Sequence, residues 1–329
     1  MRKTFYIYKS GILQRKDDSL VLILKNNDYI YIPILQVDVI IVFGEVTLNK
    51  RVFSLLNLYH VSIFFMNFYG NYIGRFTPKT YADGKIIKEQ IQAYSDYRRL
   101  IIAQIIVRTE LKNMLSFVKY YNKKYVCFMD EIDSIAACLN NVMTMHSVED
   151  LLLIEAQAKR AYYSIFDRIL IDPNFQFEKR SIHPPKNEVN AMLSYGYAIL
   201  YAQILSDIDR SPLIPNISFI HSLSKQSDSL QFDLADMYKA VIIDRLVIRL
   251  INRHQMQTSM FIHNPNGSVY LTKEATKVYI EEYEKVMQKS VKIGKRYYSY
   301  RNIITRDVYE LANYLVGKKQ KYDPFTMRW

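Results

Sequence analysis

The sequence predicts an α+β protein, with an N-terminal β-rich domain over residues 1–76, a linker at 77–85 and an all-α C-terminal domain over 86–329. Three observations carry this. Short β-branched and aromatic runs fill roughly the first 80 residues, and long helical periods take over from Lys85. Between them, residues 77–84 (TPKTYADG) combine Pro and Gly, the two residues that most strongly interrupt regular structure.

In the first part, residues 4–8, 20–25, 29–33 and 38–43 read as strands divided by polar turns such as Lys25-Asn26-Asn27-Asp28. Residues 49–59 place apolar side chains at 52, 55, 56 and 59, a spacing that predicts one short helix within the sheet. Strand character returns at 61–66 and 72–76. The second part predicts helices over 88–119, 147–170, 187–205, 233–253, 272–290 and 306–316. Ser147, with Asp150 three residues on, is an N-cap signature. Pro184-Pro185 on one side, and Pro212 with Pro215 on the other, bracket the third helix. No internal repeat or low-complexity run is present, which argues against a solenoid.

The 329 residues carry 44 Lys and Arg against 32 Asp and Glu, a formal charge of +12. Residues 1–85 hold +5 and residues 285–329 hold +8, whereas 86–284 are close to neutral at −1. Such a balance steers encounter with a polyanion. In the tail, Lys292, Lys295, Arg296, Arg301 and Arg306 interleave with Tyr297, Tyr298 and Tyr300, a mixture suited to phosphate contact with base stacking and equally to a solvated helix face. Half the residues are hydrophobic, enough for a packed core, yet no apolar run approaches the roughly 20 residues that span a bilayer. Two cysteines, Cys127 and Cys138, are too few for a disulfide framework. Lys9 interrupts the apolar start short of a signal peptide. A cytoplasmic protein with no membrane partner is expected.

None of the six histidines forms a His-x-x-x-His pair, so the zinc hydrolase pattern is absent. His221 ends an apolar stretch and precedes a polar loop (SLSKQSDS); Asp233 and Asp236 follow it, three residues apart and one helical turn from each other. Glu155 interrupts the apolar run LLLIEAQA, where an unpaired carboxylate is costly. Each has a plain explanation. Glu155 can pair with Lys159 four residues on, Asp233 can cap its helix, and His221 can be a hydrogen-bonded core residue. Together, carboxylates and one imidazole without a thiolate suit Mg²⁺ or Mn²⁺, and in a basic protein point to phosphoryl transfer on nucleic acid. Arg245, Arg249 and Arg253 form a stripe at four-residue spacing, half a helical rotation from Asp236.

The stretch HSLSKQSDSLQFDLADMYKAVIIDRLVIRLIN (221–252) resembles the signature of the CRISPR-associated adaptation integrase family, Cas one. Residues 153–163, 74–96 and the ending ANYLVGKKQKYDPFTMRW resemble, in the same order, that family's glutamate helix, linker with first long helix, and C-terminus. The resemblance implies that Glu155, His221 and Asp236 are the catalytic metal ligands, with Asp233 an auxiliary acid. Many relatives have Glu where this chain has Asp236. It further implies a homodimer formed through the N-terminal domain, a small partner protein called Cas two, and double-stranded or branched DNA as substrate. The implied activity is Mg²⁺- or Mn²⁺-dependent insertion of captured DNA fragments at the CRISPR repeat. A metal-dependent branched-DNA nuclease without integration, and a non-catalytic DNA-binding module, are the alternatives. On this reading the basic flanks hold DNA and the neutral block holds the metal.

Overall fold

The computed structural model describes residues 2–67, 69–78, 83–125, 127–223 and 228–327. Residues 79–82 of the expected linker, 224–227 of the expected polar loop and the last two residues of the C-terminal motif lie outside the described residues.

Among the described residues the N-terminal part folds as β1 (Lys3–Ile7), β2 (Gly11–Lys16), β3 (Ser19–Leu24), β4 (Tyr29–Ile32), β5 (Val37–Val42), β6 (Val46–Leu48), α1 (Lys50–Tyr59), β7 (Ser62–Met66) and β8 (Tyr72–Phe76). One sheet has the order β1-β5-β7-β8 and is parallel except for its last pair. The other has the order β4-β3-β2-β6 and is antiparallel except for β2 with β6. Asn49 starts α1 by accepting the Arg51 and Val52 N–H groups on its side chain. Strand β5 (VDVIIV) is buried throughout because both faces of its sheet are covered. Ile40 and Val42 face the second sheet and α1, while Val39 and Ile41 join the core of the helical part.

The rest is helical: α2 (Gly84–Ser95), α3 (Arg98–Tyr125), α4 (Met129–Asn141), α5 (Val148–Tyr163), α6 (Phe166–Ile169), α7 (Glu188–Arg210) and α8 (Leu230–Tyr238). A π-helical stretch, Lys239–Asp244, runs from α8 straight into α9 (Arg245–Asn252). Then follow β9 (Phe261–His263), β10 (Val269–Leu271), α10 (Lys273–Gln288), β11 (Ser290–Ile293), β12 (Arg296–Ser299) and α11 (Tyr300–Leu315). Long α3 lies at the centre, packed on α4, α5 and α8. No described helix is long and apolar enough to cross a membrane.

The predicted order of a strand-rich part followed by a helical part stands, with local differences. The predicted helix over 88–119 divides at Asp96, whose carboxylate accepts the Arg98 N–H at 2.8 Å and so begins a new helix. Helix α4 and strands β2 and β6 were not expected. The C-terminal part is not free of strands, for it carries the hairpins β9–β10 and β11–β12. Lys292, Arg296, Tyr297 and Tyr298 therefore sit on a hairpin instead of a helix face.

Two of the tail cations are held by acids of the fold, Arg301 within the core and Arg306 at its edge. Arg301 is 5% exposed and donates through Nη1 to Thr4 (2.8 Å) and Asp38 (3.1 Å) of the first sheet and through Nη2 to both carboxylate oxygens of Glu284 of α10 (3.0 Å each). Arg306 pairs with buried Asp307 at 2.6 Å. Burial alone would raise the Asp38 carboxyl, but Arg210 and Arg301 outweigh it and hold it below its ordinary value. Replacing Arg301 by Ala removes this cation from Glu284 and leaves Asp38 with Arg210 and a longer contact from the Gln203 amide at 3.4 Å. The expected loss is about 3–5 kcal/mol of unfolding free energy, measured by denaturant titration. A loss below about 1 kcal/mol would show that the pairs contribute little net stability.

Candidate metal centre

Three helices each place one carboxylate at a common point. On α5 the buried stripe runs Val148, Leu151, Glu155, Ala158 and Tyr162, so Glu155 occupies a position whose neighbours are apolar. Ser147 sets the start of that stripe by accepting the Asp150 N–H at 3.1 Å. On α3 the stripe includes Ala103, Val107, Glu110, Met114 and Phe117, and Glu110 is 1% exposed. Helix α8 is buried on all sides and carries Asp236. One carboxylate oxygen from each of Glu110, Glu155 and Asp236 lies within 4.8 Å of the other two.

Carboxylates at that separation repel by about 3.5 kcal/mol per ionised pair at an effective dielectric of about 20. Two lysines offset this. Lys159 pairs with Glu155 across one helical turn, with Glu110 at 3.1 Å and with Asp236 at 3.8 Å. Lys239 pairs with Asp236 and lies over the Tyr197 and Tyr201 rings. The carboxylates respond differently. Burial raises the Glu110 acid, Lys159 opposes the rise, and Glu155 and Asp236 add to it. Burial also pushes Asp236 upward, but Lys159 and Lys239 overcome it and hold the group below the usual range. Both Glu110 oxygens are buried and, among the described residues, are met by the Lys159 ion pair at Oε1 but by no aligned hydrogen bond, which suits oxygens open to a cation.

His221 stands outside that three-carboxylate cluster but borders the same cavity. Its Nδ1 lies 2.6 Å from Asp233 Oδ1. A carboxylate can only accept, so Nδ1 donates, and in the neutral ring Nε2 carries the lone pair. The Asp233 hydrogen bond is the main cause raising the His221 pKa; burial lowers it, and the charges of Asp233, Asp236 and Glu155 raise it further. Asp233 does not cap its helix. Fully buried, it accepts the backbone N–H groups of Phe219 (2.6 Å), Ile220 (3.0 Å) and His221 (3.2 Å), and thereby ties the histidine segment to α8. Arg75 of β8 adds a second tie, pairing with Asp209 at the end of α7 (2.8 Å) and with Asp228 before α8 (2.6 Å).

The cavity has a volume of about 1120 Å³ and is bordered by Glu110, Lys159, His221 and Lys239. Tyr69, Tyr72, Tyr163, Tyr197, Tyr201 and Tyr270 also line it. This exceeds the ordinary range of small-molecule pockets and suits a segment of polymer with rings to stack on.

The expected pairing of Glu155 with Lys159 is present, yet as part of a buried cluster. Glu155 and Asp236 meet as expected, and Glu110 is the member that sequence reasoning missed. Its signal was available, since Glu110 interrupts an apolar helical stripe as Glu155 does, but neighbouring Arg108 and Lys112 give that turn the look of a solvated face. The arginine stripe of 245, 249 and 253 lines a separate groove.

Replacing Asp233 by Asn puts an NH₂ group where one of the accepting oxygens was, leaving buried N–H groups unpaired at about 1–3 kcal/mol each. Hydrogen exchange read by mass spectrometry is expected to speed up at the Phe219 and Ile220 amides by roughly ten- to hundred-fold. Unchanged protection there would mean that another contact holds this segment.

A family model described as CRISPR associated protein Cas1 matches residues 5–285. A CRISPR-associated endonuclease Cas1 of Moorella thermoacetica is 33% identical, over 99% of this chain and 100% of its own length. The solved structure of a Cas1 protein from Thermotoga maritima superposes with a TM-score of 0.87 at 32% identity, covering 97% of this chain and 98% of that one. A structure described as a casposase bound to integration product gives a TM-score of 0.88 at 21% identity, over 98% of this chain and 92% of that one, a likeness of fold.

Proposed function

The chain belongs to the family of CRISPR-associated Cas1 proteins, and from that premise we propose that it is a divalent-metal-dependent DNA integrase and endonuclease of CRISPR adaptation. The observation that carries the proposal is the convergence of Glu110, Glu155 and Asp236 beside a tyrosine-lined cavity that His221 borders.

Glu155, His221 and Asp236 are the residues that would hold the ion, with Glu110 a further carboxylate in reach. Oxygen donors with one imidazole favour Mg²⁺ or Mn²⁺. When bound, such an ion stabilises charge developing at phosphorus and lowers the pKa of an attacking hydroxyl. Asp233 fixes the His221 ring and its tautomer, as carboxylates commonly do behind a ligating histidine. Lys159 and Lys239 border the cavity as cations and offer charge to a phosphodiester. Of the lining tyrosines, half-exposed Tyr69 and Tyr72 offer rings to unpaired bases.

In the proposed reaction the 3′-oxygen of a captured fragment bonds to a phosphorus at the CRISPR repeat while the existing bond to a 3′-oxygen breaks. One strand end is joined and another is released as a hydroxyl. The proposal takes residues 1–76 as the dimerisation domain, 77–85 as the linker and 86–329 as the catalytic domain, with the small Cas2 protein as partner.

The full chain with Cas2, a short duplex bearing free 3′-hydroxyls and a repeat-containing plasmid should yield joined strands with Mg²⁺ or Mn²⁺, and none after chelation. Cut ends without joining would indicate a nuclease only, and salt-sensitive binding without any product a non-catalytic module.

The variants Glu155→Gln and Asp236→Asn are expected to lose Mn²⁺ affinity, read by calorimetry without DNA, by roughly 100-fold or more, and Glu110→Gln by about 10-fold. Wild-type affinity in all three would place the metal elsewhere.

A further inference from the structure

Arg245, Arg249 and Arg253 recur every four residues at the far end of the element that carries Asp236. The π-helical stretch between them has two differently occupied sides. Lys239 and Asp244 border the tyrosine-lined cavity, whereas Val241 and Ile242 border a separate groove of about 370 Å³ with the three arginines. Among the described residues the two hollows share no lining residue. Lys124 from the end of α3 and Lys289 after α10 complete the groove, so five cations line it and, among the described residues, no Asp or Glu does.

Helix capping accounts for part of this charge. Helices α3, α9 and α10 all end here, and their C-termini offer about −0.5 each. Glu282 adds one negative charge behind the groove, pairing with Arg249 at 3.1 Å and also with Lys285 at 2.6 Å. Together these offset about half of the five positive charges. The remainder is felt within the cluster. Burial first, and then the charges of Arg253 and Arg245, hold the Arg249 guanidinium below its ordinary value against the pull of Glu282. Arg249 Nε is buried and, among the described residues, has no hydrogen-bond partner.

The layout suits a repeating anion more than a single one. Arginines four residues apart on a helix are spaced by about 6 Å, so the stripe extends about 12 Å. A DNA strand presents a phosphate about every 3.4 Å along its axis, so that length matches three or four of them. Half-exposed Tyr120 stands beside the groove with the Arg245 guanidinium over its ring at 5.1 Å, an arrangement common where nucleic acid is bound. We propose that this groove is a second nucleic-acid backbone site, on a face of the α8–α9 element separate from the metal centre, taking three or four consecutive phosphates of a DNA strand. The inference rests on the reading of the chain as a DNA-joining enzyme and adds a contact surface to it.

The test neutralises the exposed rim, Arg253→Gln with Lys124→Gln and Lys289→Gln, in the full chain. A melting curve at the wild-type temperature would confirm that the fold is kept. Duplex DNA affinity is then followed between about 50 and 200 mM salt. The plot of log affinity against log salt should become shallower by about 2 to 3, because each lost phosphate contact removes about 0.9. Affinity at the low-salt end should fall at least about 10-fold, while Mn²⁺ affinity stays at the wild-type value. A wild-type slope in the triple variant overturns the inference and leaves the functional reading intact. So does unchanged DNA binding with loss of the small protein partner, which would make the groove an acidic-protein dock. A wild-type chain with no affinity for DNA overturns the functional reading itself.

Discussion

Three buried carboxylates within 4.8 Å of one another cannot all stay ionised without positive charge among them, and Lys159 and Lys239 supply that charge while the Glu110 acid is raised. The arrangement around them follows from this requirement. Lys159 is one helical turn from Glu155 on α5 and reaches acids on two other helices, so α3, α5 and α8 are held together at one point by charge as well as by apolar packing.

The remaining architecture positions this point from outside. Asp233 draws the backbone of residues 219–221 onto α8 and with it the His221 ring. Arg75 fastens the segment preceding α8 to a strand of the first sheet, and Arg301 fastens α11 and α10 to the same sheet. The strand-rich part is therefore joined to the helical part through buried ion pairs in addition to the apolar face of β5 and β7.

The fold was legible wherever a face is buried with a regular period. The strands near 4–8, 20–25, 29–33, 38–43, 61–66 and 72–76 and most long helices follow from alternation or helical spacing in the sequence. Strand β2 (GILQRK) was not legible, because only Leu13 is fully buried and the rest owes its conformation to pairing with β3 and β6. Arg301 read as a cation facing solvent or phosphate, since its partner Asp38 lies 263 residues away and no local window contains both. In the site, Glu155 and Asp236 were visible as acids out of place among apolar neighbours. Glu110 was hidden by the basic residues on either side of it, and the role of Asp233 depends on backbone amides 12 to 14 residues upstream.

The π-helical stretch at Lys239–Asp244 has one more consequence. In an α-helix each residue advances the angle by about 100°, so a widened turn resets the angular phase of everything after it. Lys239 and Asp244 border one hollow and the arginines another along a single rod, and the partition between them is one helix thick, about 10 Å. Such a rod tolerates substitutions along its length far better than changes in its count of residues. Loss of one residue between the aspartates and the arginines would turn the basic stripe by more than a quarter of a circle against its groove, leaving every side chain present and the two faces out of register.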